Sequence, residues 1–406
     1  MESKPRVLIN MHYMEIGGAE RALLGLLDAI NTDKVSVDLF INQHTGEFMK
    51  YIPSKINLLP ENRRYSTLER PIIDIVKEGH IDIALARTLA KTHHWLQKNF
   101  GRKKSDKPDY TIFQLVAQYT TPLLPSLHKL GQYDLAVSFL TPHNIIARKV
   151  LAKKKIAWIH TDYSTISINP KMELPIWSCF DKIISISDDV STAFLQQFPT
   201  LKDRIRLIEN IISTNLIKEQ ANEFEPIEYE SGIINICSIG RFCEPKNFES
   251  IPFIAQLLQK KGLKFKWFII GEGYVQEHLH RIHLMLDNIP QIEFVGKMLN
   301  PFPAVKQMDY LALLSDYESW GLAITEAKIL GVPPIVTNFA SAYEQVQDDY
   351  NGIIIPKKEH SYYKDIVPKL IKNKLVYKNN LKDFNFEENN QQSIKKWKEL
   401  FEKEGR

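Results

Sequence analysis

Short apolar runs alternate with helical stretches along both halves of this chain, and this alternation restricts the fold more than any other feature. In the first half, the runs that predict strands are 7–10, 35–41, 135–139, 156–159 and 183–186. In the second half they are 233–239, 265–270, 292–295, 310–314, 334–336 and 352–355. Parallel strands require crossover connections, usually helices, and their apolar side chains are buried on both faces of the sheet. The pattern therefore predicts an α/β protein with doubly wound parallel sheets.

The length of the chain predicts two domains, because 406 residues exceed what a single hydrophobic core usually spans. The polar stretch 209–232 separates the alternating blocks, which gives an N-terminal domain over residues 1–208 and a C-terminal domain over residues 209–389. Residues 62–132 are helical in pattern and contain no clear strand, so we expect a helical insertion there. A final helix over residues 390–406 carries an apolar stripe that includes Trp397.

The bulk composition excludes several classes of protein. Hydrophobic content is 44%, charged content is 25%, and the net charge of +4 is too small to indicate a nucleic-acid partner. No apolar run approaches the roughly 18 residues of a membrane span, and the apolar stretch near the N-terminus is too short for a signal peptide. The three cysteines show no metal-ligand pairing, which fits a reducing compartment. We therefore expect a cytoplasmic protein.

Basic residues are concentrated in the first half of the chain. Between residues 87 and 107, the basic residues are Arg87, Lys91, Lys98, Arg102, Lys103, Lys104 and Lys107. They are interleaved with Leu89, Trp95, Leu96 and Phe100, and the only acid among them is Asp106. Such a segment is either a solvated helix face or a surface that holds the protein on an anionic membrane, with about 1 kcal/mol from each cation near the lipid. The sequence leaves both interpretations open.

The most informative local pattern lies between residues 315 and 334, where Glu318 and Glu326 stand eight residues apart around the start of a predicted helix. Gly321 allows the backbone to turn into that helix, so the amides of Gly321, Leu322 and Ala323 are available to an anion such as a phosphate. The two carboxylates can accept hydrogen bonds from hydroxyls on either side of it. The alternative is an ordinary solvated helix face. The pattern favours a sugar-nucleotide site.

Two loops at strand ends provide further candidates. Arg241 and Lys246 follow the strand 233–239, where cations at the carboxyl edge of a parallel sheet can bind a diphosphate or form a structural salt bridge. Gly17 and Gly18 precede the first helix, so their amides can approach a phosphate or a sugar.

Together these patterns resemble the retaining glycosyltransferases of family 4, which carry Glu-x7-Glu, Gly-Arg-x4-Lys and Gly-Gly-Ala-Glu-Arg segments at corresponding points. The resemblance implies the GT-B fold, with two Rossmann-like domains facing across a cleft and the last helix packed back on the N-terminal domain. It implies that Glu326 binds the ribose and Glu318 the sugar of a nucleotide-sugar donor. It assigns the diphosphate to Arg241, Lys246 and the Gly321 turn.

Three histidines follow strands of the first half. His160 ends the strand 156–159, and the resemblance implies that it lies near the transferred sugar, although a lone histidine there is more often structural. His12 and His143 follow other strands and are candidates for contact with the acceptor.

The resemblance also implies the reaction, which is transfer of a hexose-type sugar from a nucleotide diphosphate sugar, expected to be a UDP-sugar, with retention. The turn at Asn300 and Pro301 resembles members that build bacterial capsule or lipopolysaccharide, so we expect a glycan or polyprenyl-linked acceptor and action at the inner face of the membrane. The chain lacks Asp-x-Asp, so we expect neither metal nor cofactor. Alternatives are a soluble acceptor, a non-catalytic sugar-binding module and a nucleotide-sugar epimerase.

Overall fold

The computed structural model describes residues 4–68, 70–101, 107–224, 227–273, 276–286, 289–357, 366–372, 374–382 and 386–401. Contacts divide these residues into two compact units. The first unit contains the described residues up to Ile212 together with those from Asn390 onward, and the second runs from Ser213 to Asn389. No helix within the described ranges is both long enough and apolar enough to cross a membrane.

The first unit is built on a parallel sheet. Its strands are β1 (Arg6–Met11), β2 (Ser36–Ile41), β3 (Asn57–Leu58), β4 (Tyr133–Ser138), β5 (Ala152–Ile159), β6 (Lys182–Ser185) and β7 (Ile205–Leu207). Its helices are α1 (Gly18–Ala29), α2 (Arg63–Ser66), α3 (Ile72–Lys77), α4 (Ile81–Leu96), α5 (Thr111–Thr120), α6 (Asn144–Lys149), α7 (Pro170–Trp177) and α8 (Asp188–Gln197). The strand order is β3-β2-β1-β4-β5-β6-β7. The direction of winding therefore reverses between β1 and β4, and ligands of open α/β sheets bind beside such a reversal.

The segment between β3 and β4 holds helices α2 to α5, and none of its described residues belongs to a strand of the sheet. An isolated bridge joins Asp109 to Ser167, and the amide of Tyr110 donates to the Ser167 carbonyl at 2.9 Å. These bonds hold the end of the segment beside the loop that leads into α7.

The second unit repeats the plan with a second parallel sheet. Its strands are β8 (Ile234–Ile239), β9 (Phe265–Ile270), β10 (Ile292–Gly296), β11 (Tyr310–Leu313), β12 (Pro334–Thr337) and β13 (Ile353–Ile355). Its helices are α9 (Thr214–Gln220), α10 (Ile251–Lys260), α11 (Gln276–Leu286), α12 (Phe302–Lys306), α13 (Leu322–Ile329), α14 (Ala342–Gln345), α15 (Ile366–Lys372) and α16 (Lys374–Lys382). The order β10-β9-β8-β11-β12-β13 reverses between β8 and β11.

Both faces of the second sheet are buried. Successive side chains of a strand point to opposite faces, and in β9 Trp267 belongs to one apolar cluster while Phe268 belongs to another. Neighbouring strand β8 divides in the same way, with Ile236 in the first cluster and Cys237 in the second. A two-sided core of this kind requires helices on both faces, which is why the strands appear in the sequence as continuous apolar runs.

The last helix, α17 (Phe386–Glu399), crosses the boundary between the units in sequence. The Trp397 ring centroid lies 6.0 Å from that of Trp158 in β5. Asn390 exchanges two hydrogen bonds with the backbone of Ile212, at 3.0 and 2.6 Å. The helix therefore packs within the first unit from Asn390 onward, while residues 402–406 of the predicted helix lie outside the described residues.

The predicted doubly wound α/β class is confirmed, and each predicted strand corresponds to a strand of the structure. Two strands were not predicted, β3 and β7, which have only two and three residues. Both lie at an edge of their sheet, where a strand pairs with only one neighbour. Runs this short do not show the alternation of apolar and polar residues that predicts a strand.

Candidate functional site

The reversal of the second sheet brings together two of the predicted donor residues. The loop after β8 carries Lys246 and the loop after β11 carries Glu318, and the Lys246 Nζ lies 2.5 Å from the Glu318 Oε1. The Ser315 hydroxyl donates to the same oxygen at 2.7 Å. The two charged side chains are only 24% and 14% exposed, so this ion pair is shielded from bulk water. Sequence reasoning did not identify Ser315, although a hydroxyl at a strand end three residues before the glutamate was a usable signal.

Backbone contacts fix these two loops against each other. The amide of Asp316 donates to the Pro245 carbonyl at 2.8 Å. Asn247 adopts a left-handed conformation with φ of 49°, which ends the short turn that carries Lys246. A Cβ on Gly271, after β9, would overlap with the carbonyl oxygen of Gly240, so the β8 loop depends on a glycine there. Lys246 is therefore held by backbone geometry as well as by its partner.

Helix α13 begins as the sequence predicts, directly after Gly321. Gly321 has φ of 80°, a left-handed conformation that suits glycine, and no side chain caps the helix start. The Gln345 side-chain amide donates to the carbonyl of Trp320, which steadies the approach to the helix. The amides of Gly321, Leu322 and Ala323 thus open a helix N-terminus, where the helix dipole favours an anion.

The other two predicted donor residues lie in different environments. Glu326, inside α13, is only 8% exposed. Arg241 is exposed and forms no ion pair with any residue that the structure describes. Arg241 is therefore available to a ligand without first breaking a contact, whereas a ligand of Lys246 would have to displace Glu318.

The three candidate histidines lie on neighbouring strands of the first unit. His12 follows β1, His143 follows β4 after a short loop, and His160 follows β5. Burial lowers the pKa of His143 well below its usual range, and repulsion from the neighbouring imidazoles of His12 and His160, when these are protonated, lowers it further. The structure therefore brings the three side chains within electrostatic reach of one another at the carboxyl edge of β1, β4 and β5.

His160 is held between aromatic rings. Its ring centroid lies 4.6 Å from that of Phe139, and its ring is nearly parallel to that of Trp158, with an interplanar angle of 11°. Burial lowers the pKa of His160 to about 3, so the imidazole is neutral near pH 7. Its buried Nε2 has no hydrogen-bond partner in the described part of the chain. A neutral imidazole can exchange one hydrogen bond with a hydroxyl but cannot supply a positive charge.

The glycine loop of the first unit differs from the expectation in one respect. Gly17 caps helix α1 and Gly18 is its first residue. A Cβ on Gly17 would overlap with the carboxylate of Glu20, so that carboxylate lies over the helix start. A phosphate there would be repelled by Glu20, whereas a sugar hydroxyl could donate to it. Of the two ligands that the sequence allowed, the geometry favours the sugar.

Metal ligands do not cluster within the described residues, where no group of three His, Cys, Asp or Glu side chains could hold a metal ion. Metal independence remains a prediction, since the reaction itself must be tested.

Comparisons with known proteins show which proteins this chain is similar to. Residues 220–392 match the family model described as glycosyl transferases group 1. An uncharacterized glycosyltransferase of Methanocaldococcus jannaschii is 27% identical over 282 residues, which are 64% of this chain and 71% of that protein. The capsular polysaccharide biosynthesis glycosyltransferase CapM of Staphylococcus aureus is 23% identical over 134 residues, which are 33% of this chain and 35% of CapM.

A solved structure extends the similarity to the whole chain. HepE of Anabaena, in complex with UDP and glucose, superposes with a TM-score of 0.64 at 15% identity, over 97% of this chain and 99% of HepE. The predicted GT-B fold with two Rossmann-like domains is confirmed. The comparisons support a group 1 glycosyltransferase.

Proposed function

We propose that this chain is a group 1 glycosyltransferase and a retaining enzyme of family 4, which moves a hexose-type sugar from a UDP-sugar to a glycan or polyprenyl-linked acceptor in surface polysaccharide synthesis. The observation that supports it best is the placement of Lys246 and Glu318 beside the uncapped start of helix α13. That arrangement offers a cation and free amides to a diphosphate, with a carboxylate beside them for sugar hydroxyls.

Each residue proposed to bind the nucleotide-sugar donor has a distinct role. Lys246, Arg241 and the amides from Gly321 bind the diphosphate and stabilise the charge that develops as the glycosidic bond breaks. Glu318, released by Lys246, accepts hydrogen bonds from the sugar, and Glu326 accepts them from the ribose. The bond between the anomeric carbon and the phosphate oxygen breaks, and the leaving phosphate takes the proton of the acceptor hydroxyl as that oxygen attacks from the same face.

The neutral imidazole of His160 suits a hydrogen-bonding role. With its pKa near 3, it exchanges a hydrogen bond with a donor sugar hydroxyl without adding charge beside the developing cationic sugar. Since cations and a helix start are available for the diphosphate, we propose that the reaction needs no divalent metal. Activity should survive excess EDTA, and a complete loss that magnesium or manganese restores would contradict this.

The donor assay is the main test of the proposal. Purified protein is incubated with UDP-, GDP- and ADP-sugars, and the released nucleoside diphosphate is recorded for wild type, Glu326→Ala and Glu228→Ala. Glu228 is an exposed acid of the same unit and is the matched control. We expect release from one UDP-sugar that Glu326→Ala abolishes and the control retains. Conversion of the donor without release would indicate an epimerase, and no release with no thermal shift by any nucleotide would indicate a non-catalytic module.

An exposed apolar face supports a membrane-bound acceptor. More than half of the described large apolar side chains that are exposed lie between residues 73 and 123. On helix α4, Ile81, Leu85 and Leu89 follow at four-residue spacing, which places them on one helix face, and Leu85 and Leu89 are 59% and 57% exposed. Phe100, just beyond the helix, is 78% exposed.

The charges around this face match an anionic bilayer. Lys91 and Lys98 are exposed and form no ion pair with the described residues, whereas the acids Glu78 and Asp82 are paired with arginines. Of the other basic residues of the predicted run, Arg87 donates to the carbonyls of Thr67 and Arg70, and Lys107 is exposed. Residues 102–104 lie outside the described residues. We propose that this face lies on an anionic lipid surface, where apolar side chains insert and lysines meet headgroups.

Vesicle flotation tests the membrane contact. Wild type should float with vesicles of phosphatidylcholine and phosphatidylglycerol, and less so in high salt. Leu85→Ser combined with Leu89→Ser should remain in the bottom fraction. The matched control, Leu375→Ser with Val376→Ser, removes two exposed apolar residues of the second unit and should float. The face is not a membrane surface if Leu85→Ser with Leu89→Ser floats like wild type. The same conclusion follows if these substitutions only convert a dimer into a monomer.

A further inference from the structure

A cavity of about 460 Å³ lies in the first unit, among helices α5, α6 and α7. Its volume is within the range of about 300–1,000 Å³ that is usual for small-molecule sites. The cavity includes the loop that follows β4, so it lies at the same edge of the sheet as the three histidines. Neither the donor residues nor the apolar face of α4 contributes to it.

His143 lines this cavity and has unused hydrogen-bonding capacity. The side chain is 2% exposed, and its Nδ1 lies 2.8 Å from the Ser138 hydroxyl. Its Nε2 has no hydrogen-bond partner among the described residues. Since burial lowers the pKa of His143 well below its usual range, the ring is neutral. A buried polar atom without a partner is costly, and a ligand hydroxyl in the cavity would supply one.

Glu173 provides an acceptor on another wall. The hydroxyl of Tyr163 and the indole nitrogen of Trp177 both donate to its Oε2, at 3.0 and 3.1 Å. These donors fix the direction of the carboxyl group, and burial raises its pKa. The neutral polar side chains that line the rest of the cavity are Gln114, Gln118, Thr121, Thr141 and Asn144. Amides, hydroxyls and one fixed carboxyl around a neutral imidazole suit a polyhydroxyl ligand.

The lining also carries a surplus of positive charge. Arg148, Lys149 and Lys171 line the cavity with Glu173 as the sole acid among the described lining residues. The Lys149 ammonium is engaged, since it donates to the carbonyl of Leu124 at 2.6 Å. Arg148 and Lys171 are exposed and form no ion pair within the described ranges. They are therefore available to an anionic group at the mouth of the cavity.

We propose that this cavity binds an anionic sugar of the acceptor, with hydroxyls toward His143 and Glu173 and a phosphate or carboxylate between Arg148 and Lys171. This inference adds detail to the proposed function. It rests on that function only in identifying the bound sugar as part of the acceptor. The binding chemistry itself depends only on the cavity. A neutral sugar would leave the two cations without a partner, so charge should distinguish ligands of otherwise equal shape.

Ligand binding to the whole protein tests the proposal. Saturation-transfer NMR is recorded with glucose, glucuronic acid and glucose 1-phosphate, in the presence of saturating UDP so that the donor site is occupied. The variant is Arg148→Ala with Lys171→Ala, whose side chains are exposed, so folding should be preserved. The matched control is Lys202→Ala with Arg206→Ala, an exposed pair elsewhere in the first unit.

We expect an anionic probe to bind at least about tenfold more tightly than glucose, which is about 1.4 kcal/mol. The double variant should lose that advantage and the control should keep it. Stronger binding of glucuronic acid would identify a carboxylate sugar, and stronger binding of glucose 1-phosphate a sugar phosphate. Equal binding of glucose and both anions, an unaffected double variant, or no binding of any probe would overturn the proposal. Because the probes need no donor, this result is independent of the donor assay.

Discussion

Acidification should destabilise the first unit through His160, and the size of the effect follows from its burial. The pKa of His160 is about 3 in the folded protein, against an ordinary value of 6.5. As the pH falls below 6.5, the unfolded chain binds a proton that the folded chain does not. Stability contributed by neutral His160 is therefore complete above about pH 6.5 and is lost progressively down to about pH 3.

The magnitude can be worked from these two values. At pH 5.0 the unfolded imidazole is almost fully protonated and the folded one is almost fully neutral. Linkage then gives a loss of about 2 kcal/mol between pH 7.5 and pH 5.0 from this one residue. Burial also lowers the pKa of His143. Wild type and His160→Gln both contain His143, so its contribution to the difference between their stabilities cancels to first order.

The measurement compares wild type with His160→Gln, which keeps a polar side chain but cannot bind the proton. Urea-dependent amide exchange in β5 reports unfolding of the first unit alone, and is recorded at pH 7.5 and pH 5.0. Wild type should lose about 2 kcal/mol more than the variant on acidification. The control is His128→Gln, at an exposed position, which should lose as much as wild type.

Equal losses in wild type and His160→Gln, within about 0.5 kcal/mol, would refute the reasoning. The imidazole would then be protonated in the folded protein at pH 5, and burial beside the rings of Phe139 and Trp158 would not exclude the positive charge. A neutral hydrogen-bonding role for His160 would have to be given up as well, because both conclusions depend on the same low pKa.

Three further predictions concern single positions. Glu318→Gln should bind free UDP several-fold more tightly in calorimetry, because Lys246 no longer has to leave a carboxylate. In the donor assay, the same variant should release less UDP from a UDP-sugar. Trp397→Ala should destabilise the first unit by about 3–5 kcal/mol, measured by urea unfolding, since it removes a buried ring. Gly271→Ala should cost about 1–3 kcal/mol in the same experiment, because its Cβ would overlap with a backbone carbonyl.

The strands of the fold could be predicted because each long apolar run is buried on both faces. The β9 run, for example, supplies Trp267 to one core and Phe268 to the other, and these residues belong to four consecutive apolar positions that follow Lys266. Helix α4 shows the limit of the same reasoning. Apolar residues at four-residue spacing predict a buried face, but Leu85 and Leu89 are exposed, and only the packing of neighbouring helices determines that.

Individual features of the candidate site could be predicted from the sequence, but the contacts between distant residues could not. The spacing around Gly321 predicts the helix start, and the structure has it at that residue. The ion pair between Lys246 and Glu318 joins residues 72 positions apart, a separation over which sequence patterns carry no distance. Glu20 was foreseeable, since a glutamate three residues after a helix cap commonly reaches back over the helix start.

The strand order explains why candidate site residues that are far apart in sequence meet. In the second unit, β8 and β11 are neighbours only because the winding reverses between them, so the loops that follow them lie beside each other at the carboxyl edge. Lys246 and Glu318 meet between those loops. In the first unit the same reversal lies between β1 and β4, and His12 and His143 follow those strands. The candidate residues of each unit therefore lie together beside the reversal, where a doubly wound sheet leaves its carboxyl edge open.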